Sequence, residues 1–337
     1  MAGTLVLLTL AAAACDDGGS SGASGGGAEE TLTIYSGREE EYVEGLFEDF
    51  ENAEGIDLEV RYGDSAELAA TLAEEGEASP ADVFFSQDAG SLGAVAGAGL
   101  FAEIDEEVLG SIDERFRSPE NLWVGTSGRA RVAAYNTEAL AAEDMPDSVL
   151  DFAEPEWAGR IGFPPTNSSF QAFVAAMILL EGEATTTEFL EGLVANEPLL
   201  YEDNEATLRA VADGEVEVGL VNHYYLYEVA AEEGDIPVAN HFFDGGDPGA
   251  LVNAAGVGIL ATTDGPDVAR RFVEYVTGEP GQTYFPEATH EYPVAEGFNA
   301  PEDLPPLDDI EAPEVDLSDL GGTLEPALDL MAEVGLL

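Results

Sequence analysis

From residue 31 onward, short apolar runs of strand character alternate with longer stretches whose apolar residues recur at helical spacing. This alternation constrains the fold more than any other feature. Residues 31–35, 58–62 and 81–85 read as strands. Between them, 38–52 sets Tyr42, Val43, Leu46, Phe47 and Phe50 on one helical face, and 66–75 forms a second helix. An Ala/Gly-rich helix follows to about Gly97, then an extended segment at 131–135, a strand at 160–163 and a strongly apolar helix at 168–181. A helix at 204–212, a strand at 216–221 and a helix at 224–233 continue the pattern. Residues 252–260 are extended, 266–277 are helical, and a last helix runs over 324–334. No repeat of fixed period appears. Alternation of this kind specifies an α/β chain with parallel sheets covered by helices. Its 337 residues correspond to roughly two domains.

The charge excludes several functions. Ten Arg, no Lys and seventy Asp plus Glu give a formal charge of −60. No basic patch can be assembled, so neither nucleic acid nor an anionic membrane surface is an expected partner. Disorder is excluded by 45% hydrophobic and 9% aromatic residues. Such a chain repels itself in dilute buffer, whereas molar salt shortens the screening length to about 3 Å. The acids are spread along the whole chain, which favours adaptation to a saline, halophilic habitat over a local cation-collecting surface. A single cysteine rules out a disulfide framework and a Cys-based zinc site.

That cysteine ends an N-terminal apolar run, Leu5 to Ala14, which has the length of a signal-peptide core and is too short for the about 20 residues of a bilayer span. Small residues leading into Cys15 resemble a lipoprotein signal, with Cys15 as the lipidated residue. No Arg precedes the run, as expected if the natural start lies upstream. Residues 16–30 have the Gly, Ser and acid content of a flexible tether. The expectation is an extracytoplasmic protein on the outer face of the cell membrane, held there only by its lipid.

Ligands of open α/β sheets bind beyond the carboxyl ends of the strands. Four such junctions are polar and open a helix: Ser36-Gly37-Arg38-Glu39, Ser86-Gln87-Asp88, Thr166-Asn167-Ser168-Ser169 and Asn222-His223-Tyr224-Tyr225. Helix N-termini offer free N–H groups to anions, although any one of these is also an ordinary cap. Tyr224 and Tyr225 at a helix start allow two phenol arms to converge on one point. A phenolate is a hard oxygen ligand, and ferric ion is acidic enough to hold it deprotonated near neutral pH. Adjacent tyrosines are also common half-buried packing residues with a wet hydroxyl, and the dipeptide alone favours that reading.

Further segments carry a family resemblance. They are Ile34-Tyr35-Ser36-Gly37-Arg38, Ser79-Pro80-Ala81-Asp82-Val83-Phe84, Pro164-Pro165-Thr166-Asn167-Ser168-Ser169-Phe170-Gln171, Val221-Asn222-His223-Tyr224-Tyr225, Asn240-His241-Phe242-Phe243 and Asp247-Pro248-Gly249-Ala250-Leu251. In this order, from about residue 31 to the C-terminus, the chain resembles the ferric-ion-binding substrate proteins of bacterial and archaeal ABC importers. The resemblance implies an α/β, two-lobed periplasmic-binding-protein fold of type II. Each lobe would hold a mixed, mainly parallel sheet flanked by helices, and a two-strand hinge would join them. It divides the chain into 31–131 plus 255–305 for the N-terminal lobe and 132–254 plus 306–337 for the C-terminal lobe. Fe(III) would be cargo held in the cleft with a synergistic anion, phosphate or carbonate, and passed by a monomer to an inner-membrane ABC permease.

The family's tyrosine ligands fall on Tyr224 and Tyr225. Its anion-cradling positions fall on Asn167, Ser168 and Ser169, with Asn204 and Asn222 nearby. Where many members place a His this chain has Glu39, and where many place a Glu it has Gln87 followed by Asp88. Glu39 and then Asp88 are the expected ligands from the first lobe, although both also suit solvated acids at helix starts. Arg38 and Arg129 are candidates for the anion, with Arg131 close by. An ion pair holding the hinge is an equal reading of the Arg129–Arg131 pair. His223, His241, His290 and Tyr35 read as packing residues. Two rivals remain: the same fold binding thiamine, a polyamine, a phosphonate or a sugar, and an exported hydrolase. The sequence holds neither a Gly-x-Ser-x-Gly elbow nor a His-Glu-x-x-His motif, so no enzyme is expected.

Overall fold

The computed structural model describes residues 30–243 and 245–337. The signal segment 1–15 with Cys15, and the tether up to residue 29, lie outside the described residues. The chain opens with β1 (Thr31–Ser36), α1 (Glu40–Glu54), β2 (Asp57–Tyr62), α2 (Ser65–Glu75), β3 (Val83–Ser86), α3 (Ala89–Gly97) and the short α4 (Glu106–Leu109). Then come β4 (Val124–Asn136), β5 (Ile161–Phe163), α5 (Ser168–Glu181), α6 (Glu183–Ala195), β6 (Leu199–Leu200), α7 (Asn204–Ala212), β7 (Val218–Asn222), α8 (Tyr225–Glu233) and β8 (Val238–His241). The chain closes with β9 (Val252–Ile259), α9 (Pro266–Thr277), α10 (Glu279–Thr289) and α11 (Leu320–Glu333).

The strands lie in the order β2-β1-β3-β9-β4-β7-β5-β6, with β8 paired to β4 off this path. The pairs β1–β2, β1–β3, β5–β6 and β5–β7 are parallel, as expected for βαβ units. β9 and β4 run antiparallel to all their neighbours, which makes the sheet mixed.

Strand β4 organises the molecule. Its residues Val124–Ala130 pair with β9, while Arg131–Tyr135 pair with β7 and Ala133–Asn136 with β8. One continuous strand thus serves two half-sheets, and the changeover falls between Ala130 and Arg131. The expected extended segment at 131–135 is only the second half of this strand. Its first half, Val124-Gly125-Thr126-Ser127-Gly128, lacks the β-branched apolar run that marks a strand in sequence.

Each half has its own aromatic core. Phe47, Phe50, Phe85 and Phe272 meet mostly edge to face on the first side. Phe163, Phe170 and Phe173 pack on the second, where Phe163 and Phe170 stack at 4.7 Å. The two halves are also tied at the back. Helix α11 packs against α3 of the first and α5 of the second, and Thr323 Oγ1 donates to Ala175 O at 3.1 Å. The crossing with α3 needs Gly321, because a Cβ there would lie 2.4 Å from the carbonyl carbon of Gly93. This contact explains why α11 starts at Leu320 rather than at 324, through two glycines that are poor helix formers alone. Helices α6 and α10 have weak sequence signals for similar reasons: α6 holds a Thr185-Thr186-Thr187 run, and α10 holds Pro280, Gly281 and Pro286.

Candidate functional site

The changeover in β4 brings the polar junctions together. Strand β7 ends at Asn222, and α8 begins immediately, so Tyr224 and Tyr225 turn back toward β4. Their rings lie side by side, 4.3 Å between centroids and 32° between planes. Both are buried, at 0% and 4% exposure, among Val132, Leu208, Val211, Val221 and Val229. The packing reading of the dipeptide therefore holds for the rings. The hydroxyls have different surroundings. Tyr224 Oη accepts from Arg129 Nη2, and Asn204 lies close enough to Tyr225 to influence its hydroxyl. Burial raises the Tyr225 pKa above the ordinary phenol value; Arg129 opposes this, while Glu228 and Glu39 add to it.

Arg129 is the centre of a buried network. Its Nη1 donates to Gln87 O at 2.6 Å, and its Nε lies 3.4 Å from Glu291 Oε1. Glu291, fully buried, also pairs with Arg38 at 2.9 Å and accepts from Ser127 Oγ. Burial works against this carboxylate, yet the guanidinium charges of Arg38 and Arg129, with hydrogen bonds from Arg38 and Ser127, hold it below the usual carboxylate range. Arg38 can reach Glu291 because Gly37 lets the β1–α1 turn lie against α2. A Cβ at Gly37 would sit 2.0 Å from Ser65 Oγ. Arg131, two residues along β4, is buried without a carboxylate partner. It donates to Leu220 O at 2.9 Å and Asn222 Oδ1 at 3.3 Å and lies over the rings of Phe170 and Phe173. Burial lowers its pKa to about 9.

The residues expected to cradle an anion gather at the start of α5. Asn167 caps the helix, its Oδ1 accepting from Ser169 N at 3.0 Å and Ser169 Oγ at 2.6 Å. Asn204 Nδ2 donates to Ser169 Oγ at 3.4 Å, which joins the starts of α5 and α7 beside Tyr225. Gln87 Nε2 donates to Ser168 Oγ at 2.5 Å, a link between the two halves of the molecule. Asn222 Nδ2 is buried and without a hydrogen-bond partner. Uncharged donors at two helix N-termini, with Arg129 and Arg131 nearby, are chemically suited to a small oxyanion.

Not every expected residue joins the cluster. Asp88 is buried, but its two carboxylate oxygens accept from Ser91 N at 2.8 Å and Ser91 Oγ at 2.9 Å, so it caps α3 instead of facing the tyrosines. Burial pushes its pKa up to about 6 against those bonds. Glu39 stands exposed at the start of α1, within electrostatic reach of Arg129 and Arg38. Among the described residues no group of three or more His, Cys, Asp or Glu forms a metal-binding cluster. The oxygen donors here are phenols first. Sequence reading missed Glu291, Glu228 and Tyr42. Glu228 Oε2 accepts from Tyr42 at 3.1 Å across the two halves, and burial pushes its carboxyl up to about 8.

His223 packs as expected, at the changeover. Ala130 N donates to its Nδ1 at 3.2 Å, and its Nε2 lies 2.9 Å from His290 O. Burial lowers its pKa to about 4, below the ~6.5 of an unfolded histidine. Its contribution to stability is therefore complete above about 6.5 and is lost as pH falls toward 4. Urea midpoints should show the loss between pH 7 and 4.5. Compared with the wild type, His223→Gln should flatten this part of the profile by about 2 kcal/mol.

The family described as bacterial extracellular solute-binding protein matches residues 78–315. The chain is 34% identical to the Fe(3+)-binding periplasmic protein of Serratia marcescens over 312 residues, covering 92% of this chain and 91% of that one. The structure of iron-bound HitA from Pseudomonas aeruginosa superimposes with a TM-score of 0.87 at 35% identity, covering 91% of this chain and 99% of that one. A Trichodesmium protein in complex with iron and citrate aligns with a TM-score of 0.77 at 28% identity, over 90% and 99% of the chains.

Proposed function

Because this chain belongs to the bacterial extracellular solute-binding protein family, we propose that it captures ferric ion outside the cytoplasm and delivers it to an ABC permease. The observation that carries the reading is the buried pair Tyr224–Tyr225, with the Tyr224 hydroxyl on Arg129 and Tyr225 beside Asn204. Two adjacent buried phenols offer paired oxygen donors, the ligand type that suits a hard trivalent ion. Burial makes the Tyr225 proton difficult to remove. A strongly acidic cation is suited to displacing it. Arg129 favours the phenolate of Tyr224 once formed.

Fe(III) is cargo in this reading. Tyr224 and Tyr225 are the principal ligands, and Glu39 adds an oxygen from the rim. A synergistic anion, phosphate or carbonate, occupies the cradle of Asn167, Ser168, Ser169, Asn204 and Asn222, with Arg129 as its cation. Arg38 acts at one remove, by holding Glu291 against Arg129. Asp88 serves the fold as a cap. The halves, 31–131 plus 255–305 and 132–254 plus 306–337, close about β4 and the segment leading into β9. The near-zero exposure of the tyrosines fits a closed cleft, so loading and release need an opening motion. Outside the cell the protein is a monomer tethered through Cys15, in a saline medium that screens its charge.

The test is equilibrium dialysis of purified protein against ferric citrate in molar salt, with a visible spectrum. Ferric phenolate absorbs in the visible, so the loaded protein should be coloured and excess chelator should bleach it. Exchanging phosphate for bicarbonate should shift the band. A protein colourless in excess iron would point instead to another small solute.

A further inference from the structure

We propose that Glu228 is a further ligand of the cargo ion, a third anionic donor carried by the same helix as Tyr224 and Tyr225; this rests on the ferric reading above. Glu228 lies three residues after Tyr225 and four after Tyr224. On a helix those spacings place the three side chains on one face. Its Oε2 is held by Tyr42 of α1, at 3.1 Å, from the opposite half of the molecule. Its Oε1 is buried and has no hydrogen-bond partner. A buried carboxyl oxygen left without a partner is costly, and a hard cation is a partner that removes the cost. Glu228 is also within electrostatic reach of Tyr225, Arg38 and Arg129.

The other acids near the tyrosines are less suited. Glu291 is engaged by Arg38, Arg129 and Ser127. Asp88 is engaged through both oxygens by Ser91, and Glu39 is exposed at the rim. Two phenolates and the Glu228 carboxylate would supply three negative charges to a trivalent ion, with Glu39 adding a further oxygen from the rim. The accompanying anion is then left to the helix N-termini and the cations Arg129 and Arg131. Because Tyr42 bonds the same carboxylate, the ligand set is coupled to closure of the two halves.

The experiment titrates ferric nitrilotriacetate into wild type, Glu228→Gln, Glu228→Asp, Tyr42→Phe and the charge control Glu44→Gln, reading the visible band and affinity by citrate competition. Circular dichroism checks the fold of each. Glu228→Gln should bind at least tenfold more weakly, with the band moved to longer wavelength, since an ion with fewer anionic donors accepts phenolate charge more readily. Glu228→Asp, which keeps the charge on a shorter arm, should fall between Glu228→Gln and wild type, and it carries the test if Glu228→Gln does not fold. Glu44→Gln, at an exposed residue of α1, should stay within threefold of wild type. The proposal is overturned if Glu228→Gln matches that control. It is equally overturned if affinity falls with the band unmoved, as Tyr42→Phe should do, because Glu228 would then be a latch. A wild type that gains no band overturns the ferric reading itself, and this assignment with it.

Discussion

The double substitution Tyr224→Phe, Tyr225→Phe should abolish the visible band of the iron-loaded protein and weaken ferric binding by on the order of 10³-fold, about 4 kcal/mol. The rings are held by apolar neighbours such as Val132, Leu208, Val221 and Val229, and Phe retains those contacts. What disappears is the pair of oxygens. Arg129 loses one acceptor but keeps Gln87 O at 2.6 Å and Glu291 at 3.4 Å, so the guanidinium is not stranded. The apo protein should therefore lose only about 1–3 kcal/mol, the range for an unmade buried hydrogen bond. Equilibrium dialysis with ferric citrate and a urea melt on the same preparation separate the two effects. Retained affinity in a folded, colourless double variant would remove the phenolates from the site.

The grouping of the candidate site residues was legible in the sequence wherever the residues are local. Asn167, Ser168 and Ser169 are contiguous, Tyr224 and Tyr225 are adjacent, and each group follows a strand and opens a helix. Position along an α/β chain then predicts where they meet, and β4 brings Arg129 to them. The helix 168–181 and the helix 266–277 were readable in full, because long apolar periodicity outweighs other signals. The links that depend on remote pairing were not readable. Arg38 meets Glu291 across 253 positions, and nothing around Glu291 in sequence distinguishes it from the other acids of a very acidic chain. Asp88 had the right residue type beside the right strand. Its side chain caps α3 because Ser91 lies three residues on, a spacing that serves a helix start as well as it would a ligand. Glu228 had a readable signal, its one-turn offset from the tyrosines, but an acid on a helix is ordinarily solvated, and its bond to Tyr42 of α1 depends on pairing across 186 positions.

The substitution Glu291→Gln should destabilise the protein by about 3–5 kcal/mol, the cost of leaving a buried charge without its partner. Glu291 is fully buried and faces Arg38 at 2.9 Å and Arg129 at 3.4 Å, with Ser127 donating to it as well. Gln keeps the shape and one acceptor but presents an amide N–H₂ toward a guanidinium. Two cations then repel across a site with no other carboxylate bonded to them. A guanidinium melt in molar salt should show a lower midpoint at unchanged slope, because the burial of apolar surface is not altered. Salt should rescue little, since the pair is shielded from solvent ions, unlike the exposed bridges Arg270–Glu274 and Arg115–Asp308. Binding should change in the same variant. Arg129 is aimed at Tyr224 by Glu291 on one side and Gln87 on the other, so loss of the carboxylate frees the guanidinium to move toward the anion cradle. The ferric band should survive, since both phenols remain, while its dependence on added phosphate weakens. A variant as stable as wild type, with the same response to phosphate, would show that Gln87 alone positions Arg129.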